Sequence, residues 1–453
     1  MSTLITTAAA SAQLEKVRGK LENYFEQSDQ IAALIKPSLE TETVSNYLYR
    51  LPVKLYNGGH FGKFSADGGS LGTGTALKLT HLVAGYIYSK RAVQLSMEAI
   101  DTSRTKEQSI LNVLTDSLAS VMKEAQVDDD VCFHNDGTGV LTNASSGISG
   151  STILTFAGAT DTLGVNRLRE GMAVDVYDDD LDPKRAPSVA GPVFIESIDH
   201  SAKSVTLSRA IAALASGDRL AFPDLDAYGP AAPPVSFSST WPQRAQTGGL
   251  SGDSFRHGMY YANDATAANY FLGVQKSTVP QLLSTRVQAA GALTFSHGLR
   301  IKDQITQRRD HTVLNGMVGI WHMAQRAAYQ NLGIAVTTKM VTGAEFGKSL
   351  DLQPSDHKYD DTQSFVGIPM HTSKRQFTDR IDFINPSKWG RAKLFDTKFY
   401  DAEGGRTIFE TRNGDGAVTA AIQFFVVQAY DFVCFDPAAG GGFIDGLTVP
   451  SGY

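Results

Sequence analysis

The feature that most constrains this chain is a long helical segment with a long hairpin pattern directly in front of it. Over residues 102–135, Ile110, Leu111, Leu114, Leu118, Val121, Met122 and Ala125 recur at three-to-four spacing, which marks one buried helical stripe. Asp101, Thr102 and Ser103 are capping residue types at its start, and Gly137 and Gly139 stop it. At 1.5 Å per residue, a helix of ~30 residues is ~45 Å long, well beyond the usual helix of a compact domain. A narrow stripe on so long a helix suits a strut; one partner in an ordinary helical layer is the alternative.

Residues 47–56 read as a strand, and residues 75–83 as a second with clear apolar alternation. Between them, residues 57–74 hold Gly58, Gly59, Gly62, Gly68, Gly69, Gly72 and Gly74. A tip of this length is long for a hairpin inside a compact domain. Its charge is lopsided: Arg50, Lys54, Lys63, Lys78, Lys90 and Arg91 stand against Asp67 alone. Such a hairpin has too little local core to be stable by itself, so it is expected to lie on another surface, within the chain or on a neighbour. Lys54, Lys63 and Lys78 are candidates for contact with an acidic surface of a second copy, for which Asp128, Asp129 and Asp130 are the nearest acidic cluster. The competing reading is that the lysines keep the loop soluble and block edge pairing.

The chain has 453 residues, enough for two to four domains. Hydrophobic content of 42% and charged content of 19% are those of a globular protein. A formal net charge of -6 speaks against a basic nucleic-acid reader. Cys132 and Cys434 are far apart and form no CxxC pair, so buried thiols of a protein made in a reducing cytoplasm are expected rather than a disulfide framework or zinc site. The first twenty residues lack a basic segment before an apolar core, unlike a secretory signal. No apolar run reaches the ~18 residues that span a membrane.

In the N-terminal region, Leu14, Val17, Leu21, Tyr24 and Phe25 fall at helical spacing, and Pro37 ends the pattern. Residues 151–222 carry short alternating strands with regular turn signals: 167–177 as a turn then a strand, a hairpin of 193–199 and 204–208 turning at 200–203, and 216–222. This predicts a small inserted barrel, with a polar loop over 178–190. Residues 223–300 are loop-rich. Beyond them, 297–309 reads as a helix, 313–321 as a strand, 322–332 as a helix, 365–371 and 380–384 as short strands, and 419–435 as a buried strand.

Motifs that could carry chemistry have simpler explanations. Gly68-Gly69-Ser70-Leu71-Gly72 fits G-x-S-x-G, but a nucleophile elbow needs a strand, a sharp turn and a helix, and here an alternating strand follows. A serine hydrolase using Ser70 is therefore the weaker alternative. Ser103-Arg104-Thr105-Lys106 fits S-x-x-K without its companion motifs, and Ser103 reads as a helix cap. Asp128–Asp130 and Asp178–Asp180 lack the spaced ligands of a calcium loop and read as solvated acidic turns. Gly137-Thr138-Gly139 and Gly440-Gly441-Gly442 lack a phosphate loop's lysine and context and read as turns. No catalytic, cofactor-binding or metal-binding residue is assigned.

The order of parts carries a resemblance. An N-terminal arm, a long basic hairpin and a long helix lead to Asp136-Gly137-Thr138-Gly139-Val140-Leu141. Then come residues 271–280 (FLGVQKSTVP), the strand 365–370 (FVGIPM) and the ending 425–444 (FVVQAYDFVCFDPAAGGGFI). As an ensemble this resembles the major capsid proteins of tailed bacteriophages, with the Hong Kong 97-type fold. The resemblance implies an α+β capsid fold with a long spine helix, an extended hairpin loop and an inserted small β-barrel. It divides the chain into an N-terminal arm (1–46), the hairpin (47–97), a peripheral domain with the spine helix (98–150), the insertion (151–222), the remainder of the peripheral domain with connections (223–300), and an axial domain with returning peripheral strands (301–453). It implies a structural subunit, not an enzyme, that assembles as hexamers and pentamers into an icosahedral head. The expected partners are a separate scaffolding protein, a portal and decoration proteins. The head would enclose double-stranded DNA without sequence-specific binding, with no membrane and no cofactor, in the capsid of a virion. A bacterial nanocompartment of the same fold is the alternative within the class.

Overall fold

A computed structural model of the protein describes residues 31–35, 49–56, 76, 78–96, 107–142, 150–156, 163–178, 184–223, 255–267, 270–272, 274–309, 311–340, 364–401, 408–412 and 418–450. After a 3-10 turn at Ala32–Leu34, strands β1 (Tyr49–Tyr56) and β2 (Lys78–Ala84) form an antiparallel ribbon. Then come β3 (Ile87–Ser96) and the spine helix α1 (Glu107–Phe133). The insertion holds β4 (Ile153–Thr155), β5 (Ala173–Tyr177), β6 (Lys184–Arg185), β7 (Val193–Asp199), β8 (Ser204–Leu207) and β9 (Arg219–Ala221). Next are α2 (Met259–Ala262), β10 (Tyr270–Phe271), β11 (Val274–Gln275), β12 (Thr285–Gly291), α3 (Phe295–Arg308), β13 (Val318–Trp321) and α4 (Met323–Met340). The last part contains β14 (Ser364–Phe365), β15 (Ile368–Thr372), β16 (Ile381–Ile384), β17 (Trp389–Phe399), β18 (Ile408–Arg412), β19 (Val418–Cys434), α5 (Pro437–Gly440) and β20 (Gly441–Leu447).

Two long elements set the scale. The 27 residues of α1 span ~40 Å, and the 17 residues of β19 span ~55 Å. β19 is long because it serves three partners. β17 pairs with its C-terminal half, β18 with its N-terminal part, and β3 runs antiparallel along its middle from Tyr430↔Ile87 to Ala421↔Ser96. The C-terminal part also forms a six-stranded sheet in the order β12-β20-β16-β13-β15-β14. Its core of Ile301, Ile305, Trp321, Phe365, Phe383 and Ile444 includes the inward face of α3. Asp382 on β16 is buried there, and Arg380, Gln376 and Asn263 all donate to it. A buried carboxylate is tolerated only when paired in this way.

The insertion is a small closed barrel. Its sheet runs β4-β8-β7-β5-β6, with β9 also on β5. Chain beside these strands links the two edges: Ser188 N donates to Ala210 O at 2.8 Å, Ile211 N to Ser151 O at 3.3 Å, and Gly150 N to Ile211 O at 2.9 Å. Closure leaves few free backbone groups at a sheet edge. Inside are Leu154, Val174, Val176, Ile195, Val205, Leu207 and Leu220, all buried. A neck joins the barrel to the end of α1, where Leu141 N donates to Leu220 O and Phe222 N to Gly139 O.

Several expectations need correction. Met122 is 39% exposed although it falls within the apolar repeat, whereas Val121 and Ala125 are buried. Residues 313–321 are not one strand: a 3-10 turn occupies His311–Leu314 before β13. Residues 365–371 are a tight hairpin of β14 and β15, with Val366 (φ 53) and Gly367 (φ 78) at the bend. The loop over 178–190 contains β6. Gly441 and Gly442 open β20 rather than form a turn. Glycine is needed there because a Cβ on Gly442 would lie 3.2 Å from both Ile301 Cδ1 and Thr285 O. Asp128–Asp130 are not a turn at all but the last turns of α1. The N-terminal helix pattern, the helix start at 102–106 and the hairpin tip lie outside the described residues.

Candidate assembly surface

The hairpin is anchored at its base, and Val53 and Leu55 beyond it pack against the body. Leu51, Leu82 and Ala84 are buried against the body. Tyr49 Oη donates to Lys393 O at 2.6 Å, and Val83 N donates to Leu272 O at 3.1 Å. Further out, Pro52, Lys54, Lys78 and Leu79 are exposed, with Leu79 at 54%. Lys63 and Ser70 lie outside the described residues. A cleft of about 490 Å³ opens between Leu51, Val53 and Lys54 of the ribbon and Leu282, Arg309 and Phe435 of the body.

The long sheet has its own exposed apolar groups. Tyr88 is 63% exposed, Tyr400 47%, Leu394 46% and Phe399 38%. Part of this set is organised as an aromatic cluster, with the ring of Tyr400 5.9 Å from that of Phe409 and 6.5 Å from that of Phe425. Isolated exposed apolar residues are normal, whereas grouped ones mark contact surfaces.

The acidic end of α1 is consumed within the chain. Asp128 bridges Arg91 on β3 and Arg169 of the insertion. Asp129 pairs with Arg256 at 3.0 Å. Asp130 is buried and accepts from Ala32 N at 2.9 Å. Burial, with Arg169 next to it, lowers the Arg91 guanidinium to about 10. Burial alone would also lower Arg256, but the surrounding Tyr430, Cys132, Asp129 and Asp431 hold it above its ordinary value. These aspartates fasten the N-terminal segment, sheet and barrel to one helix end, Asp130 buried and Asp128 and Asp129 half-buried.

Residues that sequence reasoning missed sit at the same junction. Arg256 is buried, stacks 3.9 Å from the ring centroid of Tyr430 and donates to Ser89 and Gln428. His257 Nδ1 lies 2.5 Å from Asp431 Oδ2. No local pattern marks these residues; only the alternation of polar residues within apolar β19 hints that Gln428 and Asp431 meet partners. Both cysteines are free and buried, as expected. Among the described residues no cluster of histidine, cysteine and carboxylate groups is arranged to hold a metal ion, and no helix is long and apolar enough to cross a membrane.

The chain matches no protein-family model and no curated protein. Among solved structures, the capsid asymmetric unit of cyanophage A-1(L) aligns with a TM-score of 0.51 at 12% identity, over 96% of this chain and 97% of that one. Mycobacterium phage Bobi aligns with a TM-score of 0.43 at 9% identity, over 98% and 99%. The capsid of Myoviridae phage XM1 aligns with a TM-score of 0.43 at 8% identity, over 96% and 98%. Spine helix, two-stranded ribbon, long sheet and six-stranded sheet together define an α+β fold. It is the Hong Kong 97-like fold, similar to that of the cyanophage A-1(L) capsid structure, carrying an inserted barrel.

Proposed function

We propose that this chain is the major capsid subunit of a tailed bacteriophage, assembling as hexamers and pentamers into an icosahedral head. One observation carries the reading: a two-stranded ribbon is anchored at its base and packs Val53 and Leu55 against its own chain, while its other face leaves Pro52, Lys54 and Leu79 exposed. A two-stranded ribbon is marginal alone, and a neighbouring copy supplies the missing surface. The exposed aromatic groups of the long sheet are the matching ground. Each contact is weak, and repetition around a shell makes the sum strong. Sedimentation velocity at rising concentration, with and without a scaffolding protein, tests the reading. Capsomers or shells are expected, and a monomer under every mild condition contradicts it.

On this reading the subunit acts structurally and not as an enzyme, and it works in the virion. Separate scaffolding, portal and decoration proteins are its partners. Double-stranded DNA is enclosed without sequence-specific binding, because tight binding needs clustered cations to neutralise phosphates and the chain carries a net charge of -6. The insertion faces outward, where an added domain leaves shell packing intact. Lys54, Lys63 and Lys78 steer the hairpin onto acidic groups of the neighbour. Asp128, Asp129 and Asp130 are proposed for the same contact from the neighbouring copy, and within their own chain they hold Arg91 and Arg169, Arg256 and the backbone of Ala32.

A further inference from the structure

The segment 255–258 crosses between the end of α1 and β19, and two adjacent side chains point to opposite duties. Arg256 ties Asp129 of α1 to Ser89 of β3 and Gln428 of β19. His257 engages Asp431 of β19 twice: its backbone N–H donates to Oδ1 at 2.7 Å, and its ring Nδ1 sits 2.5 Å from Oδ2. Asp431 is 1% exposed. The backbone of His257 also bridges to Asp136 just beyond α1, and Phe255 N donates to Gly137 O. Gly258 presses on the helix end so closely that a Cβ would lie 2.5 Å from Cys132 O and 2.6 Å from Asn135 O.

We propose that His257 is a protonation-dependent rivet between the spine helix and the long sheet, and that the subunit loosens at this junction when the imidazolium is discharged. The proposal concerns the subunit itself and does not rest on the assembly reading. The charged and titratable groups at the ring are Asp431 from β19 and Tyr261 from its own segment, with Arg256 next in sequence and Asp136, whose backbone pairs with that of His257, in the turn after α1. Tyr261 stacks on the ring with centroids 4.1 Å apart. The directly bonded group is the carboxylate of Asp431, and an opposite charge at that distance favours the imidazolium. A carboxylate carries no proton to give, so Nδ1 bears the hydrogen in both states of the ring. Loss of the proton from Nε2 therefore leaves an N–H to carboxylate hydrogen bond in place and removes the attraction between imidazolium and carboxylate.

The direction follows. A histidine held above its unfolded value of about 6.5 gives its full stabilisation below that pH, and the stabilisation is lost as pH rises through the folded value. His257→Asn tests this, because the asparagine Nδ2–H replaces Nδ1–H without a titrating charge. Thermal midpoints are measured from pH 6 to 9 for the wild type, His257→Asn and Asp431→Asn, and the imidazole titration of His257 is followed by NMR in the wild type. The wild-type midpoint is expected to fall relative to both variants as pH rises, and the ring to titrate above 6.5. Parallel curves, or a ring that titrates at or below 6.5, overturn the proposal. If neither variant folds, the wild-type ring titration alone decides the question.

Discussion

The carboxylate of Asp130, near the end of the spine helix, accepts a hydrogen bond from the backbone N–H of Ala32, 98 positions earlier. Arg391 Nη2 donates to the carbonyl of the same residue at 2.9 Å. Both backbone groups of Ala32 are thus held by charged side chains, and Ile31 and Ile35 bury their side chains beside them. The N-terminal segment is clipped to the helix end and to the long sheet.

Removing that clip has a predictable cost. Asp130→Ala leaves a buried N–H of Ala32 without its partner, and an unmet buried donor costs about 1–3 kcal/mol. Chemical denaturation of the variant is expected to show a loss in this range, with earlier proteolysis near residue 31.

Asp128 holds two cations, Arg91 and Arg169, at sites where all three side chains are about one-fifth exposed. Asp128→Asn removes the carboxylate that the two guanidiniums share and leaves Arg91 with Glu124 at 3.5 Å. A stability loss of about 2–3 kcal/mol is expected, below the full cost for a completely buried pair. Adding Arg169→Met is expected to recover part of it, because the repulsion is then gone. Urea unfolding of the single and double variants checks both.

Acid destabilisation is expected at the contact between insertion and axial domain. His322 is 7% exposed, its Nδ1 accepts from Ala324 N, and Asn166 of the insertion lies 3.5 Å from its Nε2. Burial, with Lys203 adding to it, lowers the imidazole to about 4. The unfolded chain then binds the proton more readily than the folded one. The stabilisation is complete above about 6.5 and is lost as pH falls towards 4, by about 3 kcal/mol in all. His322→Gln is expected to flatten the wild-type loss of midpoint between pH 6.5 and 4.

The two thiols are expected to be silent in the folded chain. Burial pushes Cys132 up to about 12 and Cys434 higher still, so neither is a thiolate near neutrality. Iodoacetamide at pH 8 is expected to modify neither residue until denaturant is added, as read by mass spectrometry.

The elements legible in the sequence are those whose pattern is local. The periodicity of α1, the alternation of β2 and the turn between β7 and β8 each lie within one short window. β3 escaped because Lys90 and Arg91 interrupt its apolar residues, although Arg91 is there to meet Asp128. β20 escaped because its glycines, required by the close approach of Ile301 and Thr285, look like a turn. The acidic run at 128–130 showed its charge but not its partners, Arg91, Arg169 and Arg256, which the fold brings from three separate parts of the chain. The exposed lysines of the hairpin were visible from composition. The His257–Asp431 pair was not, since its members are 174 positions apart.

The measurement that bears most directly on assembly is electron cryomicroscopy of the protein, expressed alone and together with a phage scaffolding protein. Closed shells are expected, with the ribbon of β1 and β2 lying across an adjacent subunit and Leu79 buried in that contact. Absence of closed particles, or shells in which the ribbon touches only its own chain and Leu79 stays in solvent, would contradict it.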